Sequence, residues 1–409
     1  MRPLLLTVVL SACAASASAQ TFEQRGFVEG KGRYFPQTVP QDDAHGVADL
    51  LAREEVFWTP AEWFDADAGI DFRANSHDEV EDEWRFDVDD RTAQRPRLAL
   101  RRAAVNLAAG AFSVKAGKQF IRWGRADILN PTDRFAPRDY LTVLDTDFLA
   151  VTGVRPSFKV KDETFEVVVV PRMTPSRIPL LNQRWAVAPP ILAGLPLVDL
   201  GADIPEGTEY GARWAHTGSS FELALTFFDG FNDLPNLSGT PLSSQPAIGV
   251  TKSYPAIRSY GADFAIPTSW FLIKGEVVSF DSTDDTSDEY VLYVIQLERQ
   301  VGEWSIVGGY AGESVSEQRQ PFVFAPDRGI AKSFLGRVAY TVDPRRTFAV
   351  EGAVRQEATG AFVRGEYTQT FGAHWRMTIA GVGVGGEADD FLGQYEKNSN
   401  ATLGLRFSF

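Results

Sequence analysis

The sequence predicts an all-β protein: a transmembrane antiparallel β-barrel of about 18 strands (roughly 16–18). Three observations predict this fold. Segments of about ten residues alternate apolar and polar side chains along most of the 409-residue chain, as strands with one apolar face do. The connections between these segments alternate between long and short. The final segment alternates cleanly and ends the chain on Phe409.

Residues 1–19 have the features of a secretory signal peptide. Arg2 is followed by an apolar run over 4–15, and the small residues Ala17-Ser18-Ala19 form a cleavage site. A rival interpretation takes Leu10-Ser11-Ala12-Cys13 as a lipoprotein box. Cleavage after Ala19 would remove Cys13, the only cysteine, and would leave residues 20–409 as a single barrel domain without disulfides.

Composition narrows the class of protein. After residue 19 no apolar run approaches the ~18 residues that a membrane helix needs. The formal net charge of -14 argues against nucleic-acid binding, which requires a basic face. Repeated alternation in an exported chain leaves a soluble β-sandwich or β-helix and a membrane barrel as the two alternatives.

The spacing of the segments favours the barrel. In chain order we predict strands at 22–35, 49–59, 64–75, 95–108, 111–121, 154–161, 164–171, 208–216, 220–229, 257–266, 270–280, 289–300, 304–313, 333–342, 347–355, 362–370, 375–384 and 401–409. Outer-membrane barrels combine short periplasmic turns with long external loops and an even number of strands. A soluble sandwich has no reason to segregate its loop lengths in this way.

The alternation also has the direction that a barrel in lipid requires. In the third strand the apolar side chains share one face and are predicted to face outward, while the opposite face carries Asp65, Asp67, Asp71 and Arg73. The segment 257–266 repeats this pattern with Asp263 on the polar face. An apolar exterior around a charged interior fits a water-filled lumen.

The C-terminal strand resembles the assembly signature of Gram-negative outer-membrane barrels. Its matching residues lie on one face: Leu403, Leu405, Phe407 and Phe409. The resemblance implies that the barrel-assembly machinery recognises this strand, and it places the protein in the outer membrane of a Gram-negative bacterium.

The fifth strand leads into a charged segment. Phe112, Val114, Ala116 and Phe120 are predicted to face outward and Lys115 and Gln119 inward, with Lys118 as the one exception on the apolar side. The alternation stops at Trp123-Gly124, and a loop around 122–150 rich in Arg and Asp follows. We expect this loop to fold into the lumen.

This loop and the neighbouring inward positions form the predicted constriction. Its residues are Arg97, Arg101, Lys115, Gln119, Arg122, Arg125, Asp127, Asp133, Arg134, Arg138 and Asp139, with Asp65, Asp67 and Asp71 as candidate partners on the opposite wall. The charges either form structural Arg/Asp pairs that hold the loop, or create a transverse field that filters solutes. The two interpretations are compatible.

Catalytic and metal-binding patterns are not evident. The four histidines fall in separate loops and turns and form no Ser/His/carboxylate grouping, so we expect no enzyme, no cofactor and no metal centre. The acidic segments 76–90 and 281–289 are most simply solvated loops, with cation-bridged lipopolysaccharide as the alternative. The apolar loop 177–206 either folds over the lumen, docks another subunit or offers an entry for apolar solutes.

A short pattern in the constriction carries a second resemblance. The segment 117–133, with G-x-Q…W-G…N-P-x-D, is similar to an element of proteobacterial porin-like barrel families, and the strand count is similar to that of alginate-export-type barrels. The resemblance implies an outer-membrane channel for passive diffusion of small solutes, although the acidic balance argues against export of a polyanion. A non-conducting barrel that serves as a scaffold or partner subunit is the alternative. The partners expected are the lipid bilayer, lipopolysaccharide and small solutes, with a homo-oligomer left open.

Overall fold

Eighteen strands, β1 to β18 in chain order, hydrogen-bond to their neighbours around a closed antiparallel barrel. Their bounds are Thr21–Tyr34, Gly46–Ala61, Phe64–Asn75, Leu98–Ala109, Phe112–Gln119, Val151–Val160, Glu163–Val170, Glu209–Thr217, Glu222–Phe231, Ala256–Pro267, Leu272–Ser282, Glu289–Val301, Trp304–Glu317, Ser333–Asp343, Arg346–Arg355, Ala361–Phe371, Trp375–Gly385 and Asn400–Ser408. This computed structural model describes residues 21–188, 194–243, 246–320 and 324–409. The predicted signal peptide therefore lies outside the described residues.

The barrel closes between its first and last strands. β1 pairs with β2 on one side and with β18 on the other, in the register Phe27↔Ser408 to Tyr34↔Ala401. Each predicted strand corresponds to one of the eighteen, with ends that differ by a few residues. The predicted fold class is confirmed.

Connection length separates the two ends of the barrel. Eight short connections of two to four residues lie at the end where β1 begins and β18 ends. The long loops lie at the opposite end and include 35–45, 120–150, 171–208, 232–255 and 386–399. They carry most of the remaining structure: the two-residue strands Phe86–Asp87, Arg138–Asp139 and Asp147–Phe148, a three-stranded sheet of Leu197–Asp203, Asn236–Pro241 and Ile248–Ser253, the helical turn Pro326–Gly329 and the 3-10 turn Gly393–Asn398.

The wall has an apolar exterior and a polar interior. Neighbouring residues on β3 show the contrast, since Ile70 is 42% exposed whereas Asp71 is 3% exposed. On β10 and β11 the inward Asp263 and Glu276 are almost fully buried, while Tyr260 and Val277 are exposed on the outside. Large apolar side chains cover the exterior, and the interior holds the buried charged side chains together with apolar ones such as Val278 and Phe280. Charged side chains buried inside an apolar exterior are the reverse of a soluble sheet protein.

No helix in the described part of the chain is long and apolar enough to cross a membrane.

The alternation in β5 ends earlier than the sequence suggests. β5 stops at Gln119, so Phe120 leaves the outward face and its ring lies 4.9 Å from the guanidinium of Arg101. The predicted outward orientation of Phe120 is therefore wrong. Lys118 is buried because the segment around Phe86–Asp87 covers it, and its Nζ donates to Asp90 Oδ2 at 2.6 Å and to the Val88 carbonyl at 2.9 Å. An external loop thus provides the partner for the one charge that broke the apolar pattern.

The last residue takes part in closure. The backbone of Phe409 exchanges two hydrogen bonds of 3.0 Å with Gly26 on β1, and its ring occupies space that a side chain at Gly26 would fill. Deleting Phe409 should therefore reduce the amount of closed, inserted barrel while export to the periplasm continues. Phe371→Ala, which removes another exposed aromatic side chain at the same end, is the matched control and should insert normally. Heat-modifiable migration of the outer-membrane fraction measures this, and normal insertion of the truncated chain would contradict it.

Candidate functional site

The long loop between β5 and β6, residues 120–150, lies inside the barrel; we refer to it as the lumen loop. Its first part is held by acids that project inward from several strands of the barrel wall. Glu276 on β11 accepts hydrogen bonds from the backbone N–H groups of Arg125 and Ala126 at 2.6 and 2.7 Å. Trp123 Nε1 donates to Glu166 on β7 at 2.6 Å. Since a buried carboxylate left without partners is costly, these bonds fix the loop against the wall.

Arg125 is the main cationic anchor of this first part. Its guanidinium forms ion pairs with Asp263 on β10 and Glu222 on β9. Asp263 is fully buried and also accepts from Arg213 at 3.2 Å. Arg125 is therefore a structural tether, with its charge neutralised by the wall.

The next residues tether the loop to itself and to the rim. Asp133 accepts from the backbone N–H groups of Trp123 and Gly124 at 2.5 and 2.6 Å and pairs with Arg122 at 3.3 Å. Arg134 reaches Asp233 at 3.3 Å and lies over the Phe280 ring. These contacts favour the interpretation that the Arg/Asp pattern holds the loop in place.

A hairpin then extends across the lumen. Arg138–Asp139 pairs antiparallel with Asp147–Phe148, and residues 140–146 form its tip. We call residues 138–148 the crossing hairpin. Its base is tied to two other long loops, where Asp139 accepts two hydrogen bonds from Arg95 at 2.8 and 2.9 Å and pairs with Arg177 at 3.4 Å.

The tip of the crossing hairpin reaches the wall at β1 and β16. Asp145 pairs with Arg33 at 3.0 Å and Lys31 at 3.1 Å, both on β1, and with Arg364 on β16 at 3.8 Å. Asp147, near the base, pairs with three arginines of β2, β3 and β4: Arg53, Arg73 and Arg101. The hairpin supplies the carboxylates and the wall supplies the cations.

These ion pairs keep the hairpin carboxylates charged. Burial alone would raise the pKa of Asp145, but the charges of Lys31, Arg33 and Arg364 lower it to about 2. The pKa of Asp139 is also lowered to about 2, because the charges of Arg95 and Arg177 outweigh its burial. Both carboxylates therefore stay ionised well below neutral pH.

One side of the crossing hairpin borders an arginine-lined cavity. It has two adjoining lobes of about 170 and 300 Å³ between the hairpin and the wall from β16 through β18 to β3. Its charged lining consists of the cations Lys31, Arg33, Arg53, Arg73, Arg95, Arg364, Arg376 and Arg406 and the carboxylates Glu29, Asp49, Asp139, Asp145, Asp147 and Glu366. Cations outnumber carboxylates by eight to six.

The other side borders a carboxylate-lined cavity of about 490 Å³ against β12 to β16. Its charged lining consists of Asp127, Glu298, Asp327 and Glu351 with Arg138 and Arg337. The remaining lining is mainly apolar and includes Ile128, Val143, Leu335 and Phe362. Carboxylates in this lining outnumber cations by four to two. Lys274, which lies beside the lining, pairs with Asp127 and Glu298 at 2.9 Å each, so the negative excess is a single charge.

The predicted constriction residues fall into different surroundings. Arg101, Arg122, Arg125, Asp133, Arg134, Arg138 and Asp139 lie on or against the lumen loop as described. Asp127 pairs with Lys274 on β11 at 2.9 Å. Arg97 instead contacts residues of its own external loop, 76–97, where it donates to Asp82 and lies over the Trp84 ring. Gln119 is buried and its amide donates to the Gly153 carbonyl at 3.2 Å. Whether these side chains meet a solute stays a prediction.

The proposed partners on the opposite wall are not the partners of the loop arginines. Asp67 pairs with Lys115 at 2.7 Å and with Arg102. Asp71 pairs with Arg53, Arg73 and Arg101, and Asp65 accepts from Asn106. The predicted pairing of these three acids with the arginines of 122–139 is wrong, because cations and an amide on the same or nearby strands are closer.

Sequence reasoning missed most of the cationic wall. The omitted residues are Lys31, Arg33, Arg53, Arg364, Arg376 and Arg406. The signal was present, since Lys31 and Arg33 share a face of β1, but the glycines between and beside them weaken the apolar side of that alternation.

The apolar loop that follows β7 enters the barrel mouth. Trp185 is 2% exposed and packs against Phe35 and Tyr395. Arg184 donates to the carbonyls of Gln37 and Ala44. The first part of this loop therefore folds over the lumen, which was one of the three alternatives for the apolar loop 177–206. Residues 189–193 lie outside the described chain.

Comparisons with known proteins bear on the fold. No protein-family model and no curated protein matches the chain. Among solved structures, Pseudomonas aeruginosa OpdQ is 9% identical with a TM-score of 0.57 over 96% of this chain and 99% of that one. A BenF-like porin from Pseudomonas fluorescens Pf-5 is also 9% identical, with a TM-score of 0.57 over 96% and 98%. Pseudomonas aeruginosa OpdK, solved with vanillate, is 11% identical with a TM-score of 0.51 over 95% and 98%. These chains share the barrel fold.

Proposed function

We propose that this protein is a porin-like channel of the Gram-negative outer membrane that lets small solutes diffuse passively. The observation that carries the proposal is a pair of charge-lined cavities beside a loop that is tethered inside a barrel with an apolar exterior. Water-filled lumens of this kind select solutes by size and by the charges that line them. The fold is shared with a BenF-like porin and with OpdK, which was solved with vanillate.

Planar-bilayer recording of the purified, folded protein tests this proposal. Steady single-channel conductance is the expected result. Its absence in protein that is folded by heat-modifiable migration would favour the alternative, a scaffold or partner subunit of an envelope complex. Binding to lipopolysaccharide, assembly by the barrel-assembly machinery and homo-oligomer formation stay predictions.

Arg376 should influence ion preference strongly. It lies on the inward face of β17 in the arginine-lined cavity, is exposed, and forms no ion pair with any residue that the structure describes. Arg376→Glu should therefore shift the reversal potential toward cation preference, most at low salt, since the Debye length exceeds about 10 Å only below 0.1 M. Arg346→Gln, at a turn and outside both cavities, is the control. Equal reversal potentials for wild type and Arg376→Glu would refute the prediction.

Mild acid should not release the crossing hairpin. A carboxylate with a lowered pKa contributes stabilisation that is complete above its unfolded value, near 3.9 for Asp, and lost as pH falls through the folded value. For Asp139 and Asp145 that loss therefore falls between about pH 4 and the folded pKa of about 2. Between about pH 7 and pH 4.5 we expect no severalfold increase in single-channel conductance, and such an increase would show that these pairs do not hold the hairpin.

A further inference from the structure

The crossing hairpin separates two cavities of opposite charge, and we propose that it divides the lumen into two parallel routes. Small anions would take the arginine-lined cavity, and small cations with an apolar portion, such as amines, would take the carboxylate-lined cavity. This inference rests on the proposed channel function and adds a second substrate class with a separate path.

The attachment of the hairpin at both ends supports the division. Its base is tied through Asp139 to Arg95 and Arg177, and its tip through Asp145 to Arg364 on β16. Arg364 lines the arginine-lined cavity, whereas Phe362, two residues earlier on the same inward face, lines the other. The tip therefore meets the wall where the two cavities adjoin.

The cavities have little lining in common. Leu144 and Thr146 in the hairpin tip contribute to both, while the wall residues belong to one cavity or the other. A chain segment with a cavity on each face is a partition. The lumen loop covers the rest of the wall near β7 to β12 through its bonds to Glu166, Asp263 and Glu276.

The linings favour different solutes. Around the arginine-lined cavity the excess of guanidinium groups lowers the electrostatic barrier for anions and raises it for cations. The other cavity has the reverse charge excess, and its apolar lining, including Val307, Leu335 and Phe362, gives a hydrocarbon group a surface to contact. Arg138 and Arg337 are its only cations among the described residues, and Arg337 lies 3.6 Å from Glu351.

Single-cysteine variants test the division, because cleavage after Ala19 would leave a chain without cysteine. Thr378→Cys places a thiol in the arginine-lined cavity, and Ser305→Cys places one in the carboxylate-lined cavity. Each folded variant is recorded in a planar bilayer under a salt gradient, before and after reaction with a bulky neutral methanethiosulfonate. Val350→Cys, on the outer face, is the matched control and should not respond.

Two routes predict opposite responses. Blocking Thr378→Cys should remove part of the conductance and shift the reversal potential toward cation preference. Blocking Ser305→Cys should remove the other part and shift it toward anion preference, and the double variant should lose nearly all conductance. Shifts in the same direction, or full block from either site alone, would show a single route and overturn the inference while leaving the channel intact. Absence of conductance in all folded variants would overturn the channel function itself.

Discussion

Replacement of residues 140–146 by an Asn-Gly turn should raise single-channel conductance severalfold. Asp139 and Asp147 are ladder partners at the base of the tip, so a two-residue hairpin turn can join them without moving the rest of the lumen loop. The replacement removes Asp145 and the chain that separates the two cavities, and it leaves all eighteen barrel strands intact. The enlarged passage should also discriminate less between anions and cations.

The control for this variant is a deletion that does not touch the lumen. Residues 357–358 lie in the exposed loop between β15 and β16, and their removal should leave conductance unchanged. Both variants are compared with wild type in the same bilayer, with heat-modifiable migration as the check on folding. If the shortened hairpin conducts like wild type, the crossing hairpin does not restrict the pore.

The strands were predictable from sequence because each has two different environments. Apolar and polar residues alternate with a period of two because one face of each strand contacts lipid and the other contacts water or charged groups, as at Ile70 and Asp71. The failure at Phe120 occurs where β5 ends and this constraint ends with it. The alternation of apolar and polar residues therefore predicts the strands of the wall, but it does not predict side-chain orientation where the chain enters the lumen.

The partners of the lumen loop could not be predicted for a related reason. Arg125 binds Asp263, which lies 138 residues away, and Asp145 reaches Arg364 on β16, a much later strand. Which inward residues share a depth depends on the tilt and stagger of the strands, and no single strand reveals that stagger. The sequence therefore predicted the charge of the loop and its inward position better than the identity of its contacts.

Asp139→Ala should have the largest effect on stability. Asp139 is 4% exposed and neutralises the buried guanidinium of Arg177 and the largely buried one of Arg95. Glu79 and Asp90 would remain as partners of these arginines, at 2.5 and 2.7 Å. Removing one member of a buried ion-pair network typically costs about 3–5 kcal/mol, because the remaining charges stay buried without full compensation.

Comparison with two further variants separates lost charge from lost packing. Asp139→Asn keeps the shape and one acceptor oxygen and should lose less stability than Asp139→Ala. Asp127→Ala removes a lumen-loop carboxylate that is half exposed and paired with Lys274, so its cost should stay within about 1 kcal/mol, as for exposed pairs. Urea unfolding in lipid vesicles, followed by tryptophan fluorescence, gives the three values. Equal losses for Asp139→Ala and Asp127→Ala would mean that the base of the crossing hairpin is not held by its buried charges, and the hairpin could then leave the lumen at little cost.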